Sequence, residues 1–310
     1  MRSKRVLSLT ALLLSAPALV GTAPASAAPQ AAPHSALPDR SATATLRILL
    51  TNDDGYDAPG IRLLFRRLTA AGHDVTIVAP LTNQSGAGTR LSSGSTVTVR
   101  HPEAKVWAVD GTPGDSVSFG LAEVFGGRAP DLVVSGTNFG PNVAALATHS
   151  GTVGGAVAAL ERGVPAIAVS TGELAVPVPE QILNAMRPTA EFTVKLVERL
   201  RGRAGRGPLL PPGVGLNVNH PVVGADGQGT ARGVSVTTQD PQPGLAVDYT
   251  DSGDGTWKVE VSVVPSPAQR GGDVEAVGAD RISLTPIAPD WNTGAADFVT
   301  AAVLVAGLRP

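Results

Sequence analysis

Three short segments carry side chains that could do chemistry together. Asn52-Asp53-Asp54-Gly55 follows the apolar run Leu46 to Thr51, Asn83-Gln84-Ser85-Gly86 follows Asp74 to Ala79, and Ser135 to Gly140 closes the run that begins at Asp131. Adjacent carboxylates repel, and one of them must hold its proton unless positive charge sits beside the pair. A divalent cation meets that need. Asp53, Asp54, the Ser85 hydroxyl and the Asn138 carboxamide are hard oxygen donors of the kind that suit Mg²⁺, Mn²⁺ or Ca²⁺, with water completing the coordination. A DDG triplet after a strand also serves ordinary turns and helix caps, so the metal reading draws its weight from the other two loops. Ser150-Gly151-Thr152 opens an expected helix with Gly154 and Gly155 in its first turn, where free N–H groups and the helix dipole would receive an anion. A plain serine N-cap has the same composition. Taken together, the segments describe a phosphate held between a cation and a helix N-terminus, the arrangement of a phosphoester hydrolase.

The elements needed to bring these loops to one edge are legible in the pattern. Leu46 to Thr51 reads as a strand, Ile61 to Ala71 as a helix with Ile61, Leu64, Phe65 and Leu68 on one face, and Asp74 to Ala79 as a second strand. A strand, helix, strand unit implies a parallel pair with a right-handed crossover. Thr96 to Arg100 and Lys105 to Val109 suggest a hairpin, Thr112 to Phe125 a helix, Asp131 to Ser135 a strand, Thr152 to Arg162 a small-residue helix and Ala166 to Ser170 a strand. Pro179 to Leu200 is a long amphipathic helix with a possible break at Pro188. Beyond Pro211 short strands dominate: Gly215 to Asn219, Gly233 to Thr238, Leu245 to Tyr249, Trp257 to Val264 and Arg281 to Thr285, ending in an apolar helix from about Thr293 to Leu308. The fold class is therefore α/β, with a mostly parallel sheet and a β-rich, antiparallel C-terminal extension. Ligands bind such sheets beyond the carboxyl ends of the strands, where all three loops lie.

Composition narrows the classes of partner. The chain has 310 residues, 24 Lys and Arg against 26 Asp and Glu, and no cysteine. Disulfides, thiolate nucleophiles and Cys-ligated zinc are excluded. Arg2, Lys4 and Arg5 precede an apolar run that ends before Ala25-Ser26-Ala27, the pattern of a secretory signal peptide over residues 1–27. The run is interrupted by Ser8, Thr10, Ser15 and Pro17 and is too short to span a membrane, so no membrane span is expected after cleavage. Removing it makes the chain three charges more acidic than its formal −2, which speaks against binding nucleic-acid polymers. Residues 28–45, rich in Ala, Pro and Ser, read as a flexible linker to a domain over 46–310, with a core to about 210 and an extension from about 211.

The stretches ILLTNDDGYDAPGI (Ile48 to Ile61), VAPLTNQSGAG (Val78 to Gly88), DGTPGDSV (Asp110 to Val117), DLVVSGTNFGPN (Asp131 to Asn142) and SGTVGGAVAAL (Ser150 to Leu160) resemble, in order and spacing, the SurE-type 5'/3'-nucleotidases. A fainter likeness returns at Gly271 to Val277 and Ile282 to Ile287. The resemblance implies a Rossmann-like three-layer sandwich and a metal-dependent phosphatase of nucleoside monophosphates, with a C-terminal extension that builds homodimers or homotetramers by exchange. It implies Asp53, Asp54, Ser85 and Asn138 as metal ligands, Gly86, Ser150, Gly151 and Thr152 as the phosphate cradle, and in-line attack by cation-activated water, oriented or deprotonated by Asp53 or Asp54. The chain departs from its relatives at Val143 to His149, where they usually carry an acidic, glycine-containing stretch followed by Tyr. A secretory signal is a second departure, and an exported member would scavenge phosphate or nucleosides.

Several residues stay open between roles. His149, beside the phosphate loop, could protonate a leaving alkoxide or simply lie exposed. His73, His101 and His220 show no ligand spacing and are expected at the surface or in loops. Asp251 to Gly255 reads as a hairpin turn rather than a calcium loop, which would need a later bidentate glutamate. Tyr56 and Phe139 could stack on a nucleobase or close the pocket. Beside the nucleotidase stand two further readings: a broad-specificity acid phosphatase or exopolyphosphatase, and a non-catalytic phosphate- or nucleotide-binding protein.

Overall fold

The computed structural model describes residues 44–174, 178–205, 207–241, 245–263, 268–290, 299–300 and 302–303. The expected signal peptide, all of the expected linker before residue 44 and most of the C-terminal helix expected over 293–308 lie outside the described residues.

Strand β1 (Arg47–Thr51) buries Ile48, Leu49 and Leu50 completely, as a central strand covered on both faces must. Helix α1 (Pro59–Ala70) begins two residues before the expected Ile61, since a proline in the first turn needs no N–H there. It leads into β2 (Asp74–Pro80), parallel to β1. The expected hairpin forms from β3 (Val99–Glu103) and β4 (Val106–Val109), shifted a few residues along the chain. Helix α2 (Pro113–Phe119) continues as one π-helical turn, Gly120–Val124. Strand β5 (Leu132–Phe139) runs four residues past the expected end at Ser135. There follow α3 (Ala144–His149), α4 (Gly151–Leu160), β6 (Ala166–Gly172) and α5 (Pro179–Ala204). Pro188 does not divide α5. Ala185, Met186, Thr189 and Ala190 bury one continuous face across it, and the Thr189 hydroxyl donates to the Ala185 carbonyl at 2.8 Å, so packing holds the helix through the missing N–H.

The remaining elements are β7 (Gly215–Pro221), β8 (Val234–Val236), β9 (Leu245–Asp251), β10 (Trp257–Val263), α6 (Asp273–Gly278) and β11 (Ile282–Ile287). One nine-stranded sheet has the order β3-β4-β2-β1-β5-β6-β7-β11-β8. β4, β2, β1, β5, β6 and β7 are mutually parallel. Helices α1 and α5 pack together on one face, α2 and α4 on the other. The apolar core is accordingly split into two clusters, one containing Ile48, Leu50, Ile61 and Val197, the other Leu49, Val78, Val153 and Ala156, which is the three-layer sandwich.

The expected antiparallel extension is corrected in part. β7 continues the parallel sheet because α5 supplies its crossover, β11 then runs antiparallel to β7, and β8 is parallel to β11. Of the strands after residue 210, β7, β8 and β11 thus belong to the same sheet as those before it. β9 and β10 form a separate antiparallel pair whose Asp251 and Asp254 side chains accept the N–H groups of Gly253 and Thr256, the Asx bonding expected of a turn.

Candidate active site

The site is built where β1, β5 and α4 end or begin. β1 leaves the sheet at Asn52, whose Nδ2 donates to the Gly55 carbonyl at 2.9 Å and closes the turn that carries Asp53 and Asp54. The Asp53 carbonyl accepts the Gln84 N–H at 2.7 Å, tying the Ser85 loop to the same turn. Gly88 N–H donates to the His149 carbonyl at 3.1 Å, tying the far end of that loop to the start of α4. Ser85 and Gly86 ride, exposed, between these two tethers.

Asp53 is only 3% exposed, and its carboxylate accepts the Thr152 hydroxyl together with the backbone N–H groups of Gly151 and Thr152. A carboxylate at a helix N-terminus meets both free donors and the dipole. Burial raises its pKa above the ordinary carboxylate value, and the hydrogen bonds offset this only in part. Glycine is required at 151: a β-carbon there would stand 2.7 Å from Asp53 Cβ. Gly154 is required too, since its β-carbon would meet the Gly88 carbonyl oxygen at 1.8 Å and expel the Ser85 loop. Ser150 accepts the Val153 N–H at 3.2 Å and acts as the helix N-cap, so that part of its expected role is structural.

β5 shifts register between Ser135 and Asn138, and this irregularity brings the Phe139 N–H to Asp54 Oδ2 at 3.3 Å. Asn138, 8% exposed, donates from Nδ2 to the Gly140 carbonyl at 2.9 Å, which leaves its Oδ1 as an acceptor. Burial and the Asp53 charge push Asp54 up to about 6. No positive side chain among the described residues acts on either aspartate. Among the described residues no three acidic or imidazole groups gather as a metal cluster. The donors on offer are two unneutralised carboxylates, an amide oxygen and a nearby hydroxyl, a set that fits a hard divalent cation. The structure thus brings Asp53, Gly151 and Thr152 together directly and sets Asp54 against the N–H of Phe139, the residue after Asn138, with Ser85, Gly86 and Ser150 on segments tethered to them.

A second tier of polar residues escaped the sequence reading. Asn142 donates its N–H to Asn219 Oδ1 at 2.7 Å and its Nδ2 to the Ser170 hydroxyl at 2.9 Å, and its carbonyl accepts from Asn217 and Asn219. Asp273 and Gln239 hold the next-but-one residue, Ala144. Burial raises the Asp273 pKa against the lowering effect of its backbone hydrogen bonds. The sequence signal of Asn217 and Asn219 is a polar residue inside an apolar strand, as in GLNVN, where burial forces pairing, while Asn142 and Asp273 lie within stretches that carry the family resemblance without having been singled out.

The other singled-out residues divide. Tyr56 packs against the core with the Arg62 guanidinium 5.8 Å from its ring, whereas Phe139 is 38% exposed beside Asp54. His149 is exposed at the end of α3. His73 and His220 are buried, contrary to expectation, because an absence of ligand spacing carries no information about burial. His73 lies 2.9 Å from Glu198 and His220 bonds the Pro221 carbonyl. His101 is exposed and stacks on Trp107.

Comparison with known proteins agrees with this geometry. The family described as Survival protein SurE matches residues 48–243. The 5'-nucleotidase SurE of Methylocella silvestris is 36% identical over 255 residues, covering 79% of this chain and 94% of the relative. That of Thermosynechococcus vestitus is 34% identical over 262 residues, covering 80% and 93%. The crystal structure of the SurE protein from Aquifex aeolicus superposes with a TM-score of 0.68 at 30% identity, covering 83% of this chain and 99% of that one. A doubly covered parallel sheet, the strand-end loops in order and these matches lead to one conclusion: the chain belongs to the SurE family.

Proposed function

We propose that this protein is a divalent-metal-dependent phosphomonoesterase that hydrolyses nucleoside 5'- and 3'-monophosphates to nucleoside and phosphate. The observation that carries the reading is the pair Asp53 and Asp54, unneutralised by any basic side chain among the described residues, with Asp53 abutting the N-terminus of α4. Asp53, Asp54, Ser85 and Asn138 would hold the cation, which supplies charge against the phosphoryl oxygens and acidifies the attacking water. Gly86, Ser150, Gly151 and Thr152 would form the phosphate-facing wall, to which α4 contributes the positive end of its dipole. Without a cation, burial and the Asp53 charge push Asp54 up to about 6, and a cation held there would favour its ionised form. Exposed Phe139 offers a face to the base.

The test is phosphate release from 5'-AMP, 3'-AMP, an aryl phosphate and polyphosphate, each with Mn²⁺, Mg²⁺ or EDTA, beside Asp54→Asn. Turnover of the nucleotides that disappears with EDTA, and falls at least about 10²-fold in the variant, supports the reading. Preference for aryl phosphate or polyphosphate selects the broader phosphatase, and nucleotide binding without turnover selects the binding protein.

Two further proposals concern where and how the enzyme exists. Export is supported by the basic, apolar and small-residue pattern of residues 1–27, and an intact mass of the exported chain beginning at Ala28 tests it. Self-association as a homodimer or homotetramer is supported by the β9–β10 pair, which exposes Val247, Tyr249, Trp257 and Val259.

A further inference from the structure

We propose that Asp273 and Gln239 are positioning residues: together they hold Ala144 in a left-handed backbone conformation and so set α3, the short helix that joins the Ser85 loop to the phosphate-facing start of α4. The proposal rests on the assignment of Ser85, Gly86 and Ser150 to Thr152 as substrate-holding elements.

Ala144 has φ of 48°, and among the described residues only Asp280 shares a positive φ without being glycine. Aspartate tolerates that region, but alanine has only a β-carbon to strain against the backbone and no polar group with which to offset it. Such a conformation persists only when the surroundings over-determine it. Here they do. The Ala144 N–H donates to Asp273 Oδ2 at 3.1 Å, and the Ala144 carbonyl accepts from Gln239 Nε2 at 2.8 Å. Both partners lie far along the chain, 129 and 95 residues away.

The holding groups are themselves fixed. Asp273 is fully buried, and its Oδ1 accepts the N–H of Asp240 at 3.0 Å and of Val274 at 2.9 Å. Its own N–H donates to the Thr238 carbonyl at 3.0 Å, bonding the start of α6 to the segment that contains Gln239. Val143 and Ala144 pack against Val274 and Val277 of α6, and Asn142 is pinned to β6 and β7 one step upstream. The other end of α3 delivers the effect. His149 accepts the Gly88 N–H, and Ser150 caps α4 immediately afterwards. Ala144 is the first of the six residues of α3, and Ser150 follows the last, so one short helix separates the clamp from the cradle. A change in φ at Ala144 therefore moves the loop that bears Ser85 and the donors of Gly151 and Thr152 as one body, and residues after 238 decide their place against Asp53 and Asp54.

The experiment measures kcat and KM for 5'-AMP with Mn²⁺, and the melting temperature, for Gln239→Ala and Asp273→Asn, each alone and combined with Ala144→Gly, with Asp54→Asn as control. Each single change lowers kcat about tenfold, the scale expected of a sub-ångström misplacement. Ala144→Gly alone keeps kcat within about twofold, and in its background either change costs less than about threefold, because glycine adopts positive φ unaided. Losses that multiply independently overturn the proposal, as do variants that melt earlier with kcat intact. Gln239→Ala leaves the buried carboxylate in place and decides the matter if Asp273→Asn does not fold. A dead Asp54→Asn beside unchanged kcat in both clamp variants overturns the positioning alone. Turnover that survives in Asp54→Asn overturns the site reading and this proposal with it.

Discussion

Asp53 shows how one residue is shaped by three separate parts of the chain. Its position comes from the β1 turn, a donor to its backbone carbonyl from the Ser85 loop and the hydrogen-bond donors to its carboxylate from α4. Gly151 is the residue that permits this convergence, and Gly151→Ala places a methyl group 2.7 Å from Asp53 Cβ. We expect the substitution to push α4 away from the aspartate, lower phosphate release from 5'-AMP at least about tenfold and reduce the melting temperature. Measurement of both on the same preparation checks it, and a fully active Gly151→Ala would place the phosphate donors elsewhere. The aspartates, Ser85 and Asn138 were legible as candidates because each follows an apolar run. Asn142, Asn217, Asn219 and Asp273 were not, since each bonds a residue on another strand or helix and no local pattern encodes that pairing.

At the scale of elements, α2 is the clearest case of a local rule obeyed. Thr112 and Asp115 form a reciprocal capping box, and the Asp115 carboxylate also accepts from the N–H and hydroxyl of Ser92. Burial alone would raise the Asp115 pKa, but the bonds from Ser92 and Thr112 hold it below the ordinary carboxylate value. A group with a depressed folded value contributes stability above its unfolded pKa and loses it as pH falls through the folded one. The wild type should therefore melt above Asp115→Asn at pH 7, with the gap closing towards pH 3. Thr112→Ala should cost about 1 kcal/mol, a shift of about 2 °C in melting temperature. Thermal melts of the three proteins across that range check both expectations. Element boundaries that were misplaced have tertiary causes: β5 overruns Ser135 because β6 continues to pair with Asn138 and Phe139, and α5 ignores Pro188 because its buried face is unbroken.

For the whole molecule, the outstanding feature is the β9–β10 pair, which hydrogen-bonds to no other described strand. Tyr249 pairs with Val259, so Val247, Tyr249, Trp257 and Val259 share one face, with Tyr249 62% and Trp257 56% exposed. An isolated two-stranded ribbon is marginal in water, and a clustered apolar face on it calls for cover. We expect the chain without residues 1–27 to run as a dimer or tetramer by light scattering, and Tyr249→Lys with Val259→Lys to lower the mass. An unchanged mass would assign the face to another occupant.

The order of the strands with α1, α2, α4 and α5, and the mostly parallel character of the sheet, were determined by the sequence alone, whereas α3 and α6 were not read from it, because apolar periodicity, turn residues and the geometry of crossovers are local properties that helices of six residues barely display. Tertiary structure decided what locality cannot reach. It assigned β7, β11 and β8 to the central sheet, buried His73 and His220, and set Ala144 against Asp273 and Gln239. In each case the deciding energy is a hydrogen bond or an apolar contact between residues distant along the chain, satisfied only once the layers have packed.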